Sequence, residues 1–436
     1  MASERQLSGA GSSVRLQDGD PLVAAIDAAV ADEHEEAVAF LRELVRMPTD
    51  TPPGDNAPAA ESTARLIEAM GWAVERHPVP APEVSAAGLR SVTNLVVRRR
   101  HGDGPTIALN AHGDVVPPGD GWTRPPYDGL VEDGRMYGRG VAVSKSDFAT
   151  FVFAVRALER AASATGRPLR GTIELHFTFD EEFGGGLGPA WLLAHGVTRP
   201  DLALGPGFSY AIVTAHNGCL QLEVTLLGRA AHAAMPETGV DAIRAATEVC
   251  AALYSERDGY AKVRSKVAGI DHPTINVGRI EGGTNTNVVP DKVVLKLDRR
   301  MIPEEDPAQV EARLRAVIER AAARVHGIRV EIRRLLLARA LAPLPGHERL
   351  VEPLSRHGRR VFGEPVAATA TPLYTDARLY GEAGVPIVLY GAGPRSILEA
   401  NAKRADENLA LVDLAGATRV VAATLAELLA PAASTR

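Results

Sequence analysis

Apolar residues recur at helical spacing from Ala24 to Met47, where Ile26, Val30, Ala37, Phe40, Leu41, Leu44 and Val45 fall on one side. That period predicts a helical segment packed by one face. Further on the pattern changes to short runs of β-formers: Val92–Val97, Ile107–Ala111, Ile173–Phe179, Ile212–Thr214 and Ile387–Leu389. These runs are mostly continuous rather than alternating, as strands covered on both faces are. Helical stretches separate them, so the pattern predicts an α/β fold whose catalytic domain holds a largely parallel sheet.

The middle of the chain reads differently. Leu220–Leu227 predicts a strand, Val240–Leu253 a helix, and Thr274–Ile280 and Val293–Leu297 two more strands. A helix then carries Val310, Leu314, Val317, Ile318, Ala321 and Val325 until Gly327 stops it. Asp306 with Gln309 forms a capping pair, and Pro307 takes the tolerated first turn. A strand over Ile328–Leu337 completes a βαββαβ order, the α+β ferredoxin-like arrangement. The expected organisation is a catalytic domain over 21–218 and 336–430, an inserted domain over 219–335, and unstructured tails at 1–20 and 431–436.

Composition narrows the class. The 436 residues suffice for two or three domains of ~150 residues each, and 45% are hydrophobic against 23% charged. The net charge of −6 gives no basic footprint for nucleic acid or an anionic membrane. No secretory layout opens the chain, so a cytoplasmic protein is expected. Cys219 and Cys250 are too few for a disulfide framework and read as core thiols.

The chemistry-bearing residues follow the predicted strands. His112-Gly-Asp114 comes after the Thr106–Ala111 run, and Asp180-Glu181-Glu182 after Gly171–Phe179. A lone His after a strand, or an acidic triplet in a turn, is ordinary structure. Two such groups at the ends of strands, where open α/β sheets bind ligands, are not. Between them lies Tyr137-Gly-Arg-Gly140, and towards the end Tyr390-Gly-Ala-Gly-Pro394. In this order the motifs, over about residues 24–430, resemble the co-catalytic zinc exopeptidases, the superfamily of aminoacylase, carboxypeptidase G and succinyl-diaminopimelate desuccinylase.

The resemblance implies that His112 is a metal ligand whose ring Asp114 orients, Glu181 a general base, and Glu182 a ligand. It also exposes departures. The family's bridging Asp falls at Val143 in Gly138-Arg-Gly-Val-Ala-Val-Ser-Lys145, its next acidic ligand at Pro206, and its last His at Lys403, three residues before Asp406-Glu407. Only His112 and Glu182 remain of the ligand set. Zinc sites hold about three or four protein ligands, so no cofactor is expected unless Asp147 or Asp201 rebuilds a zinc site. Lys403 would replace part of the lost positive charge, and burial would lower its pKa from ~10.4 enough for proton transfer.

The substrate apparatus implied by the resemblance is intact. His232, in Gly228-Arg-Ala-Ala-His232, matches the family's inserted-domain His, which stabilises the oxyanion across a homodimer. Asn287, Arg300, Asp376, Arg378 and Gly393 match positions that bind substrate, and arginine suits a carboxylate through its bidentate fork. The expected partner is therefore an amino-acid-like small molecule. Three activities are compatible with these residues: hydrolysis of an N-acyl amino acid or small peptide, metal-independent proton transfer (an epimerase, racemase or lyase), or ligand binding without catalysis.

Overall fold

The computed structural model describes residues 15–17 and 19–430. The tail expected at 431–436, and that at 1–20 apart from residues 15–17, 19 and 20, lies outside them. The chain divides into two compact units, one of 1–214, 343–368 and 379–436, the other of 215–342 and 369–378.

The first unit is built on a mixed sheet whose central strands Thr172–Thr178, Thr106–His112, Leu202–Gly205 and Ile387–Leu389 run parallel, in that spatial order. Their apolar runs are explained by cover on both faces: Ile107, Leu109, Ile173 and Leu175 have no exposed surface. The strand Thr93–Arg100, whose start was read as one more such run, pairs antiparallel with Thr172–Thr178. The helix Ser146–Thr165 buries Phe148, Phe151 and Phe153 completely or nearly so. Phe148 stacks on Phe177 with ring centroids 4.1 Å apart, one residue short of the strand's end. A Phe-to-Ala change in such a core costs about 3–5 kcal/mol, so the strand ends sit on a rigid floor.

The helical segment expected over Ala24–Met47 is two helices, Pro21–Asp32 and His34–Val45. The break is at Glu33, a buried acid paired with Arg156 at 3.5 Å and Arg160 at 3.4 Å. Periodicity continued through it because both helices bury the same side.

The second unit contains a four-stranded antiparallel sheet in the order Thr274–Gly282, Lys292–Met301, Gly218–Leu227, Arg329–Ala338. Its helices are Ala242–Tyr260 and Pro307–Ala322, giving the chain order βαββαβ. Burial alternates along the central strand Lys292–Met301, because one face packs on the helices. Asp306 accepts the Gln309 N–H at 2.9 Å, and Asp241 caps the other helix through Ile243 and Arg244. Cys219 is buried, Cys250 half-buried, and both are free thiols. Among the described residues no helix is long and apolar enough to cross a membrane.

Candidate active site

Within the first unit the parallel strands end side by side, and their C-terminal loops carry the motif residues. His112 is the last residue of its strand and 4% exposed. Its Nδ1 lies 3.1 Å from the Asp114 backbone carbonyl, which it reaches as a donor, and 3.4 Å from an Asp114 carboxylate oxygen. That carboxylate has a second task which spacing did not show: Oδ1 accepts the Glu181 N–H at 3.1 Å and Oδ2 the Glu182 N–H at 2.9 Å. Asp114, with no exposed surface, thus pins the acidic turn to the neighbouring strand. Gly113 fits between the pair because a Cβ there would meet the Phe179 ring at 2.5 Å.

Glu181 presents Oε2 to His112 Nε2 at 3.9 Å. Burial opposes the His112 charge, but Glu181, Asp114 and Glu182 outweigh it and hold the imidazole up at about 10. Burial and the neighbouring Glu181 raise Glu182, with Lys403 opposing them. Lys403 does meet Glu182, Nζ to Oε2, at 2.6 Å. The expected fall in the Lys403 pKa does not occur. Desolvation is more than offset by Glu181 and Glu182, the pKa is raised, and the half-exposed ammonium stays charged.

The turn that includes Val143 is held by groups the motif reading passed over. Glu407 accepts Ala142 N at 3.1 Å and Val143 N at 3.3 Å, and its other oxygen pairs with Arg139 at 2.6 Å. Arg139 also donates to the Pro118 carbonyl at 2.9 Å. Lys145 is buried and donates to the Leu44 and Met47 carbonyls at 3.0 and 2.8 Å, closing the end of the helix His34–Val45. Burial lowers this amine to about 7. The signal for these residues was the Gly-Arg-Gly stretch and Asp406-Glu407, read only as markers for ligand positions.

Neither residue expected to rebuild a metal site does so. Asp201 accepts the Thr106 N–H at 2.8 Å, at the opposite end of the strand from His112 and one strand length away, about 20 Å. Asp147 is turned to backbone N–H groups, with Ala392 N at 2.8 Å and Gly207 as the second. Val143 and Pro206 bring no ligand atom in their side chains. Among the described residues, no three of His, Cys, Asp and Glu are grouped to hold a metal ion. The side chains as they stand do not fit a dinuclear centre.

The remaining predicted residues lie in the second unit, apart from Gly393, which follows the strand Ile387–Leu389 of the first. His232 and Asn287 are exposed on paired segments: Ala233 N donates to the Asn287 carbonyl at 3.0 Å, and His232 Nδ1 accepts Ala234 N at 3.0 Å. Arg300 pairs with Asp298 at 2.7 Å and stacks over Tyr374, 5.4 Å from the ring centroid. Asp376 is buried two residues before Arg378, which is itself buried. His216 was missed. It donates from Nδ1 to the Asn217 carbonyl at 2.9 Å and accepts Thr375 N at Nε2, 3.4 Å away, steadying the segment before Arg378. Burial and Arg378 lower its pKa to about 4, so it is a neutral core histidine.

A parallel sheet whose strand ends gather a His–Asp pair and a Glu pair defines an exopeptidase-type hydrolase. The chain belongs to peptidase family M20/M25/M40, which matches residues 108–427. It is 32% identical over 300 residues to a succinyl-diaminopimelate desuccinylase of Rhodospirillum rubrum, covering 64% of this chain and 72% of that one. An acetylornithine deacetylase of Salmonella arizonae is 29% identical over 67% of this chain and 72% of its own. The Bacillus subtilis YXEP protein, described as a dinuclear metal binding peptidase of the M20 family, shares the fold with a TM-score of 0.62 at 18% identity, over 92% of this chain and 99% of that chain. This membership corrects the expectation of no cofactor. A family that includes a dinuclear metal binding peptidase gives no ground for a metal-free enzyme. Because the donor set here does not fit such a centre, no catalytic step is derived through a metal.

Proposed function

We propose that the protein hydrolyses the amide bond of an N-acyl amino acid or small peptide bearing a free carboxylate. It acts in the cytoplasm, as a homodimer joined through the second unit. The observation that carries this reading is Glu181, its backbone fixed by Asp114 and its carboxylate opposite His112. Glu181 accepts a proton from the attacking water, the hydroxyl adds to the amide carbon, and the same proton passes to the departing nitrogen. His112 balances the carboxylate and fixes its direction. His232 serves the oxyanion, and Lys403 holds the Glu182 carboxylate in place at 2.6 Å. Arg300 and Arg378 supply the carboxylate recognition, with Asn287, Asp376 and Gly393 completing the substrate contacts. Relatives named desuccinylase and deacetylase support the N-acyl class.

A panel of N-acetyl and N-succinyl amino acids, each beside its carboxamide-blocked counterpart, tests the assignment by amine release. Free acids are cleaved, and blocking the carboxylate lowers kcat/KM by about 10- to 100-fold, the worth of a charge-assisted bond. Equal cleavage of blocked and free forms, or cleavage of neither, contradicts it.

A further inference from the structure

Asp147 has no part in the chemistry above, yet it is an acid with 1% exposure in the first turn of the helix Ser146–Thr165. Burying a carboxylate is costly unless specific partners hold it. Burial raises its pKa to about 7, opposed by its partners, the backbone N–H groups of Ala392, at 2.8 Å, and Gly207, and by the nearby His112. Those two amides belong to different loops, Gly205-Pro206-Gly207 and Tyr390-Gly-Ala-Gly393, which follow adjacent parallel strands.

The loops are also tied to each other. Tyr390 N donates to the Gly205 carbonyl at 3.0 Å, Ser209 N to Gly393 at 3.1 Å and Ser209 Oγ to Gly391 at 3.1 Å. These bonds make the loops one body but do not register it against the helix. Asp147 does that, and Ser144, three residues earlier, bonds the His112 backbone through its hydroxyl at 3.0 and 3.2 Å. The fit is close: a Cβ on Gly391 would overlap the Asp147 carboxylate. Asp147 and Gly391 are therefore a matched pair.

We infer that Asp147 is a positioning residue, which sets the joined loops at a fixed distance from His112 so that the Gly391–Gly393 backbone meets the substrate in register with Glu181. This rests on the amide-hydrolysis reading. It predicts a signature in substrate binding rather than in chemistry. Asp147→Asn, which keeps the size and replaces one acceptor by an NH2, raises KM about tenfold and leaves kcat within about threefold. Gly391→Ala raises KM by a similar factor, while Asp147→Ala with Gly391→Ala is no worse than Asp147→Ala alone, because the new methyl occupies the space vacated.

Hydrogen exchange at the Ala392 amide supplies a readout independent of turnover, and it quickens in Asp147→Asn and Asp147→Ala. A lowered Tm with unchanged KM, or additive KM effects in the double variant, overturns the inference. If the wild-type protein cleaves no amide of the panel, the activity reading fails on its own. Exchange at Ala392 then decides the clamp: protection equal to wild type in Asp147→Ala overturns it.

Discussion

Two halves of one rim of loops are held together in different ways. At the ends of Thr106–His112 and Thr172–Thr178 the side chains proposed to carry hydrolysis stand together, and Asp114 binds His112 to the Glu181-Glu182 turn. In the turn before Ser146–Thr165, after Leu202–Gly205 and at position 403, the positions expected to bind metal carry Val143, Pro206 and Lys403. The backbone of this second half is nevertheless held, by Glu407 on Ala142 and Val143, by Asp147 on Gly207 and Ala392, and by Lys403 on Glu182. Here the turns are carried by protein-to-protein bonds.

The largest expected effect is on stability. Glu407→Gln leaves the buried Arg139 without its charged partner, and removing one member of a buried pair costs about 3–5 kcal/mol. Chemical denaturation of the variant is expected to show that loss; a change below about 1 kcal/mol would mean that the Val143 turn is held by something else. A smaller effect sharpens the contrast at position 403. Lys403→His frees Glu182 and adds an imidazole, so zinc retained after dialysis, read by elemental analysis, rises above the wild-type content. An unchanged content would show that Lys403 does not decide access to Glu182.

The smallest effect lies away from the rim. Glu427 is held down at about 2 against an unfolded value of 4.5, because His357 and Arg356 outweigh the cost of its burial. A depressed carboxyl stabilises the fold above its unfolded value and loses that contribution as pH falls towards 2. Taken at full value that depression is worth about 3 kcal/mol; with solvent screening discounted, Glu427→Gln should cost about 2 kcal/mol at pH 7, the difference fading between pH 4.5 and 2. A difference independent of pH would mean that packing, not charge, ties Glu427 in place.

Much of this was legible in the chain. Continuous apolar runs located the parallel strands, the order of strand and helix segments located the second unit, and strand-end position singled out His112 and Glu181. What was not legible depends on distant partners. Lys145 seeks carbonyls at Leu44 and Met47, Asp147 an amide at Ala392, and Asp114 the amides of Glu181 and Glu182. No local period encodes such bonds. The missing donors at Val143, Pro206 and Lys403 were also readable, but the step from a donor count to the absence of a cofactor was not sound. Asp201 shows the matching error from the other side, since an acid near in sequence to a ligand position sits at the far end of the sheet.

In the proposed reaction the chemistry runs through Glu181. Steady-state hydrolysis of the best N-acyl amino acid by wild-type protein and by Glu181→Gln tests it most directly. The account predicts that kcat falls by about 10²- to 10⁴-fold, the usual worth of a general base, with KM nearly unchanged. A variant that keeps its kcat would contradict it and place the proton transfer elsewhere.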